Sequence, residues 1–398
     1  MLNFIHLLQF KNIVFLFFLA MIQIGCISKT SSQFHYRPPE ELSDGLTVGS
    51  LEEVGLDSIL ISEVTRKIQK GSFGEIHSLL LIKNNKLVFE EYFEGHKYQW
   101  DAPDYLGESI VWDGTMLHDT KSVTKSITAL CIGIAIEKGF IKSVHQSIFD
   151  FLPKHQHLKT EKKEKITIEH LLTMTSGLAW NEWEAPYSSK DNPMIGIWFS
   201  EKNPITYILE APMLSTPGTK FSYFGGSHVL LGEILKNATS MSIEVFAKQY
   251  LFKPLGIENA NWSIKYKNDI YEAAGSLELT PRAMAKIGLT FLNDGSWGKK
   301  QVVSDDWIKK SSAQFRNNTG IEIPGEDLGK SGYSYSWWVD SFSVNGKSIN
   351  LHHALGWGGQ KIVVIPEYDM VFVSTGGNYN SRVRQFKIIK KYILPAVE

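Results

Sequence analysis

The chain has 398 residues, with 41 Lys and Arg against 42 Asp and Glu, a formal net charge of -1. That balance excludes a nucleic-acid binder, which needs a basic excess for phosphate contacts, and only two cysteines exclude a disulfide scaffold. Hydrophobic residues at 43% and charged residues at 21% allow a sizeable core, and the length suits two lobes.

Residues 1–25 carry one charge, Lys11, ahead of the apolar run from Ile13 to Ile22. The run is too short to span a bilayer comfortably and sits where the apolar region of an export signal belongs, so 1–25 reads as a signal peptide. Gly25-Cys26 follows at once. A small residue before a cysteine at this point resembles the cleavage site of bacterial lipoproteins. The resemblance implies lipidation of Cys26 and a place in the cell envelope, periplasmic or held at the membrane by the lipid anchor only. Gln23 departs from it, because the usual pattern has Leu there. Residues 26–49 read as a tether, being polar from Ser28 to Asp44 and carrying Pro38-Pro39.

From residue 50 the elements alternate. Leu56 to Lys70 has Ile59, Ile61, Val64 and Ile68 at helical spacing. Ile76 to Ile82 and Lys86 to Phe93 are strand-like runs around the turn signal Lys83-Asn84-Asn85, a hairpin. Ser122 to Lys138 reads as a helix apolar over much of its surface, and therefore central; Cys131 within it is a small core residue. From about 143 to 264 the pattern is mainly helical, with loops at Ala179–Pro193 and Ser215–Phe224. Strands return at Tyr333–Val339, Ile349–His353, Lys361–Ile365 and Met370–Ser374, and a helix closes the chain from about Val383 to Leu394. Strands at both ends around a helical middle imply an α/β (α+β) fold: a discontinuous sheet lobe, 50–398, with an inserted helical lobe.

Most reaction machinery is missing. The chain has no G-x-S-x-G elbow, no H-E-x-x-H, no P-loop, no dinucleotide fingerprint and no EF-hand loop. His155-Gln-His157 lies in a Lys-rich loop without acidic or thiol company, so no metal site is expected. Ser-x-x-Lys occurs twice. Ser296-Trp-Gly-Lys299 lies in a turn that aligns nothing. Ser122-Val-Thr-Lys125 opens the buried helix, where residues i and i+3 share a face. Serine needs a partner to remove its proton, and burial lowers a lysine's pKa toward the neutral form that can do so. The bland reading of this pair is an N-cap serine with an exposed lysine one turn on.

The surrounding motifs carry a resemblance. His118-Asp-Thr-Lys-Ser-Val-Thr-Lys-Ser-Ile-Thr-Ala-Leu130 resembles the nucleophile helix of the serine β-lactamase and penicillin-binding-protein superfamily. Ile166 to Gly177, Pro217 to Gly232, Ala273 to Lys286 and Leu355 to Pro366 resemble further segments of its class C β-lactamase-like branch, in order. The resemblance implies an antiparallel sheet flanked by helices. By position it makes Ser122 the acylated nucleophile, Lys125 its general base and Tyr223 the donor of a proton to the leaving group. Gly356-Trp-Gly-Gly359 resembles the strand edge of the third motif, with the N–H groups of Trp357 and Ser122 as an oxyanion hole and Gly356 and Gly358 beside the substrate.

The departures are informative. Gly225 stands where the second motif has asparagine, and no Lys-Thr-Gly supplies a cation for a substrate carboxylate; His352 and His353 are the nearest substitutes. These gaps argue against an efficient β-lactamase or D-Ala-D-Ala carboxypeptidase. Trp-Gly-Gly and Gly-Gln are similar to family VIII carboxylesterases and 6-aminohexanoate-dimer hydrolases. The resemblance thus implies an exported serine hydrolase acting on a small-molecule ester or amide, with no cofactor required. A peptidoglycan-directed peptidase, a weak β-lactamase and an envelope ligand-binding receptor on the same fold stay open as alternatives.

Overall fold

The backbone of the computed structural model is described for residues 34–397 except 317 and 345. The expected signal peptide and Cys26 lie outside the described residues. Residues Tyr36 to the C terminus form one compact body.

A nine-stranded sheet organises it. The strands are β1 (Thr47–Val48), β2 (Ile76–Lys83), β3 (Lys86–Tyr92), β4 (Ile321–Glu322), β5 (Lys330–Tyr333), β6 (Trp338–Val344), β7 (Lys347–Gly356), β8 (Gln360–Ile365) and β9 (Met370–Gly376). Their order is β1-β3-β2-β9-β8-β7-β6-β5-β4. Every neighbouring pair is antiparallel except β1 with β3. The β2–β3 turn closes on Asn84 and Asn85 at φ 51° and 60°, the two left-handed residues a tight hairpin requires. Strands β2, β8 and β9 are buried along their whole length, because helices pack against the sheet, among them Pro281–Leu292.

The helix Val123–Glu137 runs through the centre and is buried at every position from Val123 to Ala135. It touches β7 and the helix Gly226–Thr239. Each of its large aliphatic side chains, such as Ile127, Leu130 and Ile132, contributes about 1.5–3 kcal/mol by leaving water. Cys131 is fully buried there and burial pushes its thiol up, consistent with an inert core residue.

Several expectations are corrected. Residues from Tyr36 to 49 are not a free tether: the Tyr36 hydroxyl donates to Val88 O, Arg282 holds Asp44 and the Glu40 carbonyl, and β1 joins the sheet. Ile59 faces solvent at 72% exposure, since the buried stripe of Ser58–Gln69 is Ile61, Val64, Thr65 and Ile68. The expected strand Tyr333–Val339 is two strands, broken where Ser336 turns to φ 61° and its N–H bonds Leu172 O. Helices fill the inserted segment from Ile148 to Leu255, but Ala260–Trp262 is a strand paired with Leu277–Leu279.

Candidate active site

Lys121 sits at φ 48°, a strained value that turns the chain into the central helix. Ser122 follows at the helix start, half-buried, and its side chain makes no cap bond to the backbone. Instead the Lys125 Nζ donates to Ser122 Oγ at 3.0 Å and to the Ala274 carbonyl at 2.9 Å. The bland alternative of an exposed lysine therefore fails: Lys125 is 4% exposed. Ser296, by contrast, donates to Gln301 in a two-stranded turn.

Burial alone would depress the Lys125 amine, as the sequence argument expects. The Tyr223 phenol and the carboxylates of Glu182 and Glu272 outweigh burial and hold its pKa above the ordinary lysine value. The resting amine is therefore charged. Tyr223 is 7% exposed, its ring stacked on Trp183 at 4.9 Å and parallel to Trp338 at 6.3 Å, with the Lys125 Nζ 5.1 Å from the ring centroid. Two aromatic faces thus fix the phenol beside the Ser122–Lys125 pair.

The third-motif strand edge is brought in by a close approach. A Cβ added at Gly356 would lie 2.2 Å from the Thr120 carbonyl, so only glycine lets the end of β7 reach the Ser122 turn. Behind it Gln360, fully buried, donates to Gly376 O at 2.7 Å and to Trp357 O at 3.3 Å. The Trp357 indole donates to Tyr379 O at 2.7 Å and sits among Tyr105, Tyr379 and Tyr187 at 4.8, 5.2 and 5.4 Å. Gly358 bridges to Asn378, its carbonyl accepting from the Asn378 N–H at 3.0 Å.

Two cavities meet at Ser122. The larger, about 750 Å³, is lined by Tyr223, Trp338, Gly356, Gly358 and the exposed Arg382, among others. The second, about 510 Å³, includes Lys121, Lys125, Trp198 and Glu272. Ser122, Glu182, Tyr187 and Trp357 line both. Ser122, Lys125, Tyr223, Gly356, Trp357 and Gly358 are thus assembled in one place from segments far apart in the chain.

His352 and His353 do not join them. His353 is fully buried against Asp340 at 2.8 Å, and burial pushes His352 down to about 4, so both are neutral and line neither cavity. Lys361, two residues past the third motif, is fully buried and engaged with Glu326 at 2.5 Å. Among the described residues no group of three His, Cys, Asp or Glu is placed to hold a metal ion; the His155 ring stacks on His157 at 6.5 Å and hydrogen-bonds the Asn203 side chain.

Sequence reasoning missed Glu182. It is 2% exposed, accepts from Trp180 Nε1 at 3.0 Å, from the Tyr187 hydroxyl at 2.9 Å and from the Gly225 N–H. Its loop is pinned by the fully buried Asn192, which donates to Glu182 O at 3.1 Å and Ala185 O at 2.8 Å while capping the helix Pro193–Phe199. A Cβ on residue 225 would meet Glu182 Oε1 at 2.7 Å. The carboxylate therefore occupies the place a second-motif side chain would need. No sequence signal marks it, because it lies in a loop 43 residues from Gly225. Glu272, also buried, is raised by burial and accepts from the Ala274 N–H at 3.1 Å.

The beta-lactamase family profile matches residues 77–382. The chain belongs to the beta-lactamase family. An uncharacterized protein of Alkalihalophilus pseudofirmus is 23% identical over 342 residues, 78% of this chain and 88% of that protein. The chain spans 50% of the length of a proposed D-alanyl-D-alanine carboxypeptidase of Salmonella agona, at 25% identity. A proposed 6-aminohexanoate-dimer hydrolase from Bacillus anthracis superposes with TM-score 0.64 at 19% identity, covering 91% of this chain and 87% of that one. A family VIII carboxylesterase gives 0.62 at 15% identity, covering 85% and 98%. At these identities the structural likeness establishes the fold.

Proposed function

We propose that this beta-lactamase-like serine hydrolase cleaves an ester, and more slowly a linear amide, through an acyl-Ser122 intermediate. The observation that carries the proposal is the buried Lys125 Nζ at 3.0 Å from Ser122 Oγ, at the junction of two cavities. Ser122 Oγ forms a bond to the substrate carbonyl carbon while its proton passes to the Lys125–Tyr223 pair. Because Lys125 starts charged, it must first give up one proton before it can take that of Ser122. The N–H groups of Ser122 and Trp357 hold the developing oxyanion. The bond to the leaving oxygen or nitrogen then breaks, with Tyr223 returning a proton to it. Water repeats the sequence on the acyl-enzyme, releasing acid and freeing Ser122.

Three features speak against β-lactams and D-Ala-D-Ala peptides. Gly225 offers no side-chain amide, Glu182 presents an acceptor where a donor is needed, and Lys361 is engaged by Glu326. An ester is the better substrate because an alcohol leaves with less protonation than an amine. Export and lipidation at Cys26 complete the proposal and place the enzyme in the cell envelope. Metabolic labelling with a tagged fatty acid, lost in Cys26→Ala, tests that part.

The catalytic part is tested with protein starting after Cys26, assayed on p-nitrophenyl butyrate, a nitroanilide and a chromogenic cephalosporin, with fluorophosphonate labelling alongside. Turnover fastest on the ester, and labelling that disappears in Ser122→Ala, is the expected result. Faster cephalosporin hydrolysis refutes the substrate assignment. No labelling and equal inertness of wild type and Ser122→Ala refute the hydrolase and favour a receptor.

A further inference from the structure

The 510 Å³ cavity differs from its neighbour in chemistry. Its wall is formed by Met194, Ile195, Trp198, Phe199, Ile264 and Tyr266, with the Trp198 and Tyr266 rings 4.5 Å apart. Three of these side chains are large hydrophobics left open at the mouth: Phe199 at 71% exposure, Trp198 at 45% and Ile264 at 37%. Such an open apolar rim around one pocket marks a binding surface. The charged groups at the inner end are all engaged within the protein. Lys121 pairs with Asp119 at 3.2 Å under the Tyr98 ring, Lys125 is held by Ser122 and Ala274, and Glu182 and Glu272 accept backbone and side-chain donors.

Position decides which half of a substrate enters. Tyr223 lines the larger cavity and not this one, so a leaving group that receives its proton from Tyr223 lies on the larger side. The acyl group then lies on the apolar side. Resting on the acyl-serine reading above, we infer that this cavity is an acyl site for uncharged aliphatic chains. At ~30 Å³ for a group the size of a water molecule, an octanoyl chain takes up about half of the 510 Å³ and fits with room at the mouth. Lys121 and Lys125 at its inner end are already engaged by Asp119, Ser122 and Ala274, so an acyl group that carries a carboxylate would be desolvated there without a cation of its own.

The test is kcat/KM for p-nitrophenyl acetate, butyrate, hexanoate, octanoate and the anionic monosuccinate, each with Ser122→Ala as control. A methylene moved from water into an apolar site is worth about fourfold, so acetate to hexanoate should gain on the order of a hundredfold. The succinate should fall below the butyrate. Trp198→Ala and Phe199→Ser should each cut the hexanoate-to-acetate ratio at least threefold; the exposure of Phe199 keeps its variant foldable, which a melting curve verifies. A flat chain-length profile with turnover that still needs Ser122 overturns the acyl site and leaves the hydrolase standing. So does a ratio unmoved by both variants, particularly if they abolish binding to phosphatidylglycerol vesicles and so assign the rim to a membrane surface. If no ester is turned over by way of Ser122 and fluorophosphonate does not label it, the underlying reading fails with it.

Discussion

Gly356→Ala isolates the step by which the fold completes the site. The added methyl would stand 2.2 Å from the Thr120 carbonyl, well inside the 3.0 Å that real Cβ atoms respect. Thr120 cannot simply yield, since its N–H and hydroxyl both bond the Leu277 carbonyl, at 2.9 and 2.7 Å. The end of β7 must therefore withdraw from the Ser122 turn by about 1 Å, taking the Trp357 N–H with it. A misplacement of that size costs roughly a hundredfold in rate. The expected result is kcat/KM on p-nitrophenyl hexanoate lower by about two orders of magnitude, with a parallel loss in the rate of fluorophosphonate labelling. Strain in the buried turn should also lower stability by about 1–3 kcal/mol, seen as a reduced Tm with a cooperative transition retained. Activity within threefold of wild type, in protein whose melt confirms folding, would refute the claim that this contact sets the oxyanion geometry.

Other perturbations test the electrostatics. Glu91 is raised to about 7, first by burial and then by Glu90 beside it. Between pH ~4.5 and 7 the folded state keeps a proton that the unfolded chain releases, so stability falls as pH rises through that window. Glu91→Gln should accordingly gain about 1 kcal/mol at pH 8, after allowing for screening at this half-exposed site, and nothing at pH 4, as read by thermal melts at both. Arg282, 5% exposed, binds Glu90 at 2.6 and 2.8 Å and the Glu40 carbonyl at 2.8 Å; Arg282→Met should cost about 3–5 kcal/mol in denaturant titration by stranding the Glu90 charge. Glu182→Gln turns an amide N–H toward groups that are all donors, which should cost about 1–3 kcal/mol. It also removes an anion that holds the Lys125 proton, so the rising limb of kcat/KM against pH should move to lower pH.

What the sequence determined on its own is what short-range physics encodes. The strand-like runs and Asn84-Asn85 specified the β2–β3 hairpin, and the all-round apolar text after Ser122 specified a buried central helix. Spacing within one helical turn placed Lys125 against Ser122, and the motif order placed Tyr223 and the Gly356–Gly359 edge with them. The closing helix, expected from Val383 to Leu394, spans Gln385 to Ala396 with its turns loosened in the middle. Where one residue's environment depends on a distant chain segment, local reading failed. Ile59 has the helical spacing of a core residue but no element covers it. His352 and His353 sit on the right strand, yet its neighbours bury and neutralise them. The charge on Lys125 was decided by Tyr223, Glu182 and Glu272, residues 98, 57 and 147 positions away in the chain. Burial, which the sequence does reveal, pushes that amine one way; the three partners it meets only through space push it back.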